Sequence, residues 1–266
     1  MIEVLVSTMH QNNTDLIEKM NLQSDAIIIN QTDVHDYQQC TRGEHRIKFY
    51  SFAERGVGLS RNCALMRATA DICILADDDM VFEDDYCATV QQVFDENPSA
   101  DVVIFNLIEK DSVRRVNDKV KKIHKLNYMN YGAARVAFRR KGVSYHGICF
   151  NQNFGGGTQH QCGEDTLFLR DCLDAGLNMI AVPVAIATLH DDRPSTWFRG
   201  YDKKYLFDKG VVLAIAHPVL APLFCLYLAL RHKEYAGEIM TRFGVLKEMC
   251  RGIRFVKRKE YYDAKY

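Results

Sequence analysis

The sequence lacks an excess of either charge. Lys and Arg total 34, and Asp and Glu also total 34. Nucleic-acid binding therefore has no global electrostatic support, and any attraction for an anion must come from local patches. Nine cysteines occur in 266 residues without one Cys-x-x-Cys pair, so they read as reduced thiols of a cytosolic protein. Asp33, His35, Asp36, Cys40 and His45 lack the spacing of a zinc module, and residues 32–45 read as a solvated loop. Met1-Ile2-Glu3-Val4-Leu5-Val6-Ser7 has neither the basic region nor the apolar core of an export signal, which sets the expectation of a catalytic region facing the cytoplasm.

Some motifs are missing where their chemistry would need them. The first predicted strand, Ile2 to Val6, runs into Ser7-Thr8-Met9-His10. That is not the Gly-rich activation loop of a sugar-nucleotide pyrophosphorylase, nor the Asp pair of a phosphohydrolase with an aspartate nucleophile. An EF-hand counted from Asp77 would set Val81 and Phe82 where an oxygen ligand and a glycine belong.

What is there alternates strand and helix. Ile2 to Val6 and Ala26 to Ile29 are apolar strand signals, Asp15 to Glu18 has capping-box spacing between them, and Ile47 to Phe52 predicts a third strand. Such a βαβ opening implies a parallel sheet with right-handed crossovers, whose ligands sit at the carboxyl ends of the strands. Ser7, Thr8 and Asn30 lie at those ends and are candidate nucleotide contacts, with Gln31 beside them. Arg55-Gly56-Val57-Gly58 leads to Ser60, a predicted N-cap, and Arg61 then stands at the start of a helix as a candidate partner for a nucleotide or pyrophosphate. Glu83 to Asn97 predicts an amphipathic helix, Asp101 to Leu107 a buried strand, and Asp111 to Lys125 a charged, solvated excursion. Ala134 to Arg139 and Ile148 to Phe150 predict short, antiparallel additions to the sheet.

Two acidic groups carry the chemistry. The apolar run Ile72 to Ala76 delivers Asp77-Asp78-Asp79 at its end, and like charges side by side cost free energy unless a cation or donors offset them. Gly155-Gly156-Gly157 is a loop without side chains to obstruct a ligand, and Glu164-Asp165 opens the helix after it, where acids also suit the helix dipole. Met179 to Leu189 predicts a strand that ends at His190, a candidate third metal ligand or phosphate contact. Trp197, the only tryptophan, suits either a packing anchor or a platform for a sugar face.

Gly58-Leu59-Ser60-Arg61-Asn62-Cys63, the short helix and strand after it, and Asp77-Asp78-Asp79 resemble the family 2 glycosyltransferases. The resemblance covers roughly residues 1–205, with its specific motifs in 56–79 and 163–165. It implies an α/β protein of GT-A fold, a Rossmann-like open mixed sheet flanked by helices, with a nucleotide-sugar half (about 1–110) and an acceptor half (about 111–205). It implies an inverting transfer of sugar from a nucleoside-diphosphate sugar, a UDP-sugar first, to an acceptor hydroxyl, with Mn²⁺ or Mg²⁺ as the cofactor. Asp79 is then the first metal ligand, Asp77 a contact to the nucleoside that also reaches the metal, and Asp78 a neighbour of undefined role. Asp165 matches the general base, Glu164 would position the acceptor, and Gly156 and Gly157 would line the acceptor's path. The product class implied is cell-envelope polysaccharide or lipid-linked glycan. A non-catalytic nucleotide-sugar-binding domain is the alternative, and the Glu164-Asp165 pair is the feature such a domain would not need.

Residues 206–266 read as a helical appendage, apolar and then basic. Val211 to Leu230 holds no Asp, Glu, Lys or Arg, and Lys247, Arg251, Arg254, Lys257, Arg258, Lys259 and Lys265 follow. Two arrangements fit: a helical hairpin packed on the enzyme, or a segment lying against an anionic inner membrane surface.

Overall fold

The computed structural model of the chain describes residues 1–110, 115–190, 200–232, 235 and 240–258. Trp197 and the tail beyond residue 258 lie outside the described residues. In chain order the elements are β1 (Ile2–Met9), α1 (Leu16–Lys19), β2 (Asp25–Gln31), β3 (Asp36–Arg42), β4 (His45–Phe52), α2 (Val57–Arg67), β5 (Ile72–Asp77), β6 (Met80–Phe82) and α3 (Tyr86–Glu96). They continue with β7 (Val102–Ile108), β8 (Lys121–Lys122), β9 (Val136–Arg139), α4 (Arg140–Tyr145), α5 (Glu164–Asp174), β10 (Met179–Leu189), α6 (Lys203–Ala216), α7 (Ala221–Arg231) and α8 (Arg242–Lys257).

The strands form one 10-stranded mixed sheet in the order β3-β4-β2-β1-β5-β9-β7-β10-β6, with β8 paired to β10. β4, β2, β1 and β5 are parallel, as the βαβ opening predicts, and β9 runs antiparallel between β5 and β7. Both faces are covered. Val4, Val6 and Ile28 enter one core with Phe82, Tyr86 and Phe94, while Leu5, Ile27 and Ile29 enter the other with Phe138, Phe150 and Phe168.

The sheet opens where the chemistry is expected. β9 pairs with β5 only from Ile72 to Ile74, so Leu75 to Asp77 extend beyond it. The chain turns at Asp78 and Asp79 into β6, which pairs with Ala187 to Leu189 of β10. Irregularities between Ala181 and Ala187 let the end of β10 bend over to meet it.

Four sequence expectations change. Residues 32–45 are not a loop: β3 and β4 form a hairpin through Gly43, whose φ of 59° suits the tight turn. β3 is mostly exposed, so no alternation of apolar and polar residues marks it. Ile148 to Phe150 is not a strand; the Asn62 side chain takes the ladder's part, with Asn62 Nδ2 donating to Phe150 O (2.8 Å) and Phe150 N–H to Asn62 Oδ1 (2.7 Å). Asp15 makes no side-chain cap on the four-residue α1. The excursion after β7 returns to the sheet: Asn117 is buried and exchanges hydrogen bonds with Asn106. The uncharged run 211–230 is broken at His217-Pro218 into parts of α6 and α7, and no helix among the described residues is long and apolar enough to cross a membrane.

Candidate active site

Parallel register gathers the polar rim. Ser7 lies opposite Asp77 on β5, and Thr8 lies opposite Asn30 on β2. All three predicted rim residues, Ser7, Thr8 and Asn30, are buried and hydrogen-bonded within the protein. Ser60 Oγ donates to Ser7 Oγ (3.0 Å) and Thr8 Oγ1 to Asp78 Oδ2 (2.6 Å). Asn30 Oδ1 accepts from Gln11 N–H (3.0 Å), and Asn30 Nδ2 donates to Gln11 O (2.9 Å) and Ser51 Oγ (3.1 Å). Gln11 also donates through Nε2 to Thr8 Oγ1 (2.9 Å), so it ties Thr8 and Asn30 together. Sequence reasoning missed Gln11; its only signal was a place just past the first strand.

Ser60 is not the N-cap of α2. The cap is Gly56, because the first amides find partners earlier: Gly56 N–H donates to Gln31 Oε1 (2.7 Å) and Val57 N–H to Gly156 O (3.0 Å). Both amides are thereby satisfied within the protein. The shift also buries the first turns of α2, where Gly58 approaches Asn151 so closely that a Cβ would lie 3.0 Å from its carbonyl oxygen.

The buried turn points Arg61 into the centre of the site. One terminal nitrogen bonds Asp77 Oδ1 (2.9 Å); the other bonds Asp165 Oδ1 (2.6 Å) and lies 3.4 Å from Glu164 Oε1. Asp165 Oδ2 accepts from Ala133 N–H (2.9 Å), just before β9. The guanidinium therefore links the acids at the end of β5 to those at the start of α5. Its side chain is 4% exposed, whereas Asp77 is 37% and Asp165 27% exposed, so the acids reach solvent and the cation is buried behind them. Burial opposes the charge of Arg61, but Asp77, Asp165 and Glu164 outweigh it and raise its pKa further. Burial first, and Asp165 second, push the Glu164 carboxyl up to about 8. Three acids surround one cation, and the excess is relieved by keeping a proton on Glu164 or by admitting another cation.

The glycine loop serves as a wall. Gly155 has φ 96°, and a Cβ there would meet Val57 at 2.5 Å and Glu164 at 2.7 Å, so only glycine lets the loop pass between α2 and the acidic pair. Gly156 is engaged through its carbonyl to Val57, and Gly157 is exposed. Beyond the loop a second charged cluster fastens residues 159–161 to α6. Asp208, 0% exposed, bonds His160 Nδ1 (2.8 Å), Gln161 N–H (2.9 Å) and Lys204 Nζ (2.5 Å), and Lys204 also donates to Gln159 O (2.7 Å). Burial disfavours the Asp208 charge, but these bonds outweigh it and hold the carboxyl below its usual range. The sequence offered no sign that Asp208 reaches this loop.

Asp79 and His190 come together through the backbone, since His190 N–H donates to the Asp79 carbonyl (2.9 Å) across β6 and β10. His190 itself is exposed. Among the described residues no three His, Cys, Asp or Glu side chains converge into a metal-binding group. The donors at the end of β5 are carboxylates, which suit Mg²⁺ or Mn²⁺ when a ligand's own oxygens complete the shell.

Residues 31–155 match the profile of Glycosyl transferase family 2. The chain is a glycosyltransferase, with the family 2 profile over just under half of its length. The chain is similar in fold to solved structures of Staphylococcus aureus TarS. The chain is 12% identical to TarS 1-349 in complex with UDP-GlcNAc, covering 100% of this chain and 92% of that one, with a TM-score of 0.64. It is 12% identical to TarS 1-349 in complex with UDP, covering 97% and 91%, with a TM-score of 0.60. At these identities the likeness is one of fold, and the fold is GT-A. No curated protein sequence matches the chain.

Proposed function

We propose that this glycosyltransferase moves a sugar from a nucleoside-diphosphate sugar, a UDP-sugar first, to an acceptor hydroxyl with inversion at the anomeric carbon. The observation that carries the reading is the Arg61 bridge: Asp77 and Asp165, 2.9 and 2.6 Å from one guanidinium, are held side by side and are both partly exposed. TarS 1-349 bound to UDP-GlcNAc, similar in fold, supports the choice of donor.

Asp165 takes the proton of the acceptor hydroxyl as the new carbon–oxygen bond forms and the bond from the anomeric carbon to the diphosphate breaks. Its two oxygens accept from Arg61 and Ala133 N–H, yet a carboxylate retains further lone pairs for a hydroxyl. Glu164 and the loop at Gly156 and Gly157 shape the acceptor side. On the donor side, Thr8, Asp77 and Asp78 surround the nucleoside over a floor built from Ser7 and Asn30. Asp79 and Asp77, with His190 beside them, would hold Mn²⁺ or Mg²⁺, which supplies a positive charge for the departing diphosphate. Arg61 is turned inward, so a contact to the diphosphate requires it to exchange a carboxylate for a phosphate oxygen.

The acceptor class proposed is an envelope polysaccharide or lipid-linked glycan. A thermal-shift screen of UDP-, GDP-, CMP- and dTDP-sugars with and without Mn²⁺ tests the donor reading. The fitting donor should raise Tm by roughly 5–10 °C at about a hundredfold above its Kd. No shift with any of them overturns the reading, and a shift without turnover in the presence of any glycan acceptor favours a binding domain.

A further inference from the structure

The C-terminal helices bury their residues in an unusual division. α6 places Val211, Val212 and Leu213 in the interior. α7 instead buries its small residues Ala221, Cys225 and Ala229, one turn apart, and shares a core with Val245, Met249 and Ile253 of α8. Phe224 and Leu228 pack partly against that core, but the other large residues face outward: Leu223 is 65% exposed, Leu226 44%, Tyr227 56% and Leu230 56%, with Val219 and Leu220 just before the helix at 87% and 42%. A helix that only had to complete the core would turn these inward, since scattered surface leucines are ordinary but a continuous helical stripe is not.

The neighbouring helix carries the matching charge. Arg242, Lys247, Arg251, Arg254, Lys257 and Arg258 are all exposed, and the only acid of α8, Glu248, is buried and bound to Arg251 (2.6 Å). Phe243, 76% exposed, stands at the start of this basic row. An apolar stripe on one helix and a row of exposed cations on its neighbour fit a surface that is apolar below and anionic above. α7 has 11 residues, about 16 Å of helix, too short to span a hydrocarbon core of about 30 Å.

We infer that α7 and α8 form a docking face for an anionic lipid bilayer, with the α7 stripe inserted at the headgroup level and the α8 cations above it on the lipid phosphates. The occupant deepens the lipid-linked acceptor reading, whose acceptor would lie in the same bilayer, but its test needs no sugar transfer, so the two fail separately.

Co-sedimentation of the full chain with phosphatidylglycerol vesicles and with phosphatidylcholine vesicles decides it. Binding should be confined to the anionic vesicles and fall steeply between low and about 0.5 M salt as screening shortens the reach of the charges. The double variant Leu223→Glu/Leu226→Glu should reduce the bound fraction about tenfold at nearly unchanged Tm, because neither side chain belongs to the buried core. Lys247→Glu/Arg254→Glu should reduce it by a similar factor of about ten and leave weak, salt-independent adsorption. Equal affinity for both lipids, no binding at all, or unchanged binding by the leucine variant overturns the inference. A stable dimer in sedimentation velocity that Leu223→Glu/Leu226→Glu dissociates, without vesicle binding, shows instead that a second copy covers the stripe.

Discussion

Two clusters of buried charge lie at either end of one short segment, and they are built to opposite specifications. Around Arg61 stand Asp77, Glu164 and Asp165, three acids to one cation, with Asp77 and Asp165 partly open to solvent. Around Asp208 stand Lys204, His160 and the Gln161 amide, one carboxylate with enough donors to satisfy it, and the carboxylate has no exposure. The second arrangement is closed and balanced, which suits a fastening. The first has an excess of negative charge that the fold leaves unsatisfied, as a site awaiting a cation and an acceptor proton would.

Substitutions should separate the two. The largest effect is expected at Asp165: Asp165→Asn should lower transfer by about two to four orders of magnitude while calorimetry finds donor affinity nearly unchanged. Full activity would remove Asp165 from the base role. Next, Arg61→Met strands three carboxylates and should cost about 3–5 kcal/mol in chemical denaturation, with partial recovery in Arg61→Lys, which restores the charge but not the span between the two acidic groups. Mn²⁺ should stabilise the methionine variant more than the parent if the site lacks a cation; equal stabilisation would count against that.

At Asp208 the loss should be smaller. Asp208→Asn keeps the bond to Gln161 N–H, and Lys204, 42% exposed, can turn to water, so about 1–3 kcal/mol is expected. If the fastening aligns Glu164 and Asp165, kcat should drop with the donor KM unchanged; an equal rise in donor KM would make Asp208 part of the donor site instead.

The smallest effect is one of pH. The Glu164 pKa is raised when folded, to about 8, so the folded state holds this proton where the unfolded chain has released it. Its stabilising contribution is complete below about 4.5 and is lost as pH rises to about 8. Metal-free Tm should fall over that window, and Glu164→Gln should flatten the decline. The same slope in both proteins would place the titration elsewhere.

Much of this contrast was legible residue by residue and not as an arrangement. The strand ending in Asp77-Asp78-Asp79 and the helix opening on Glu164-Asp165 are patterns of neighbouring residues, and both stand where the sequence predicts them. Arg61 was singled out, but as a contact for the ligand, because nothing local reveals that a Gly156 carbonyl caps α2 early and turns the arginine inward. β3 was missed since a strand exposed on both faces has no period to read. Asp208 was missed because its loop partners, His160 and Gln161, lie 48 and 47 residues away in the chain.

The sequence by itself determined which residues carry charge at the ends of buried strands and helices, since apolar runs and helix starts are set by neighbours within a few positions. It also determined that the glycine loop precedes the second acidic pair. Only the tertiary structure decided that the two acidic groups share one arginine, that the loop is fastened from α6, and that α7 turns its leucines outward. Each of those depends on which surfaces meet after the chain has packed, and an ion cluster or an exposed stripe is a property of that meeting.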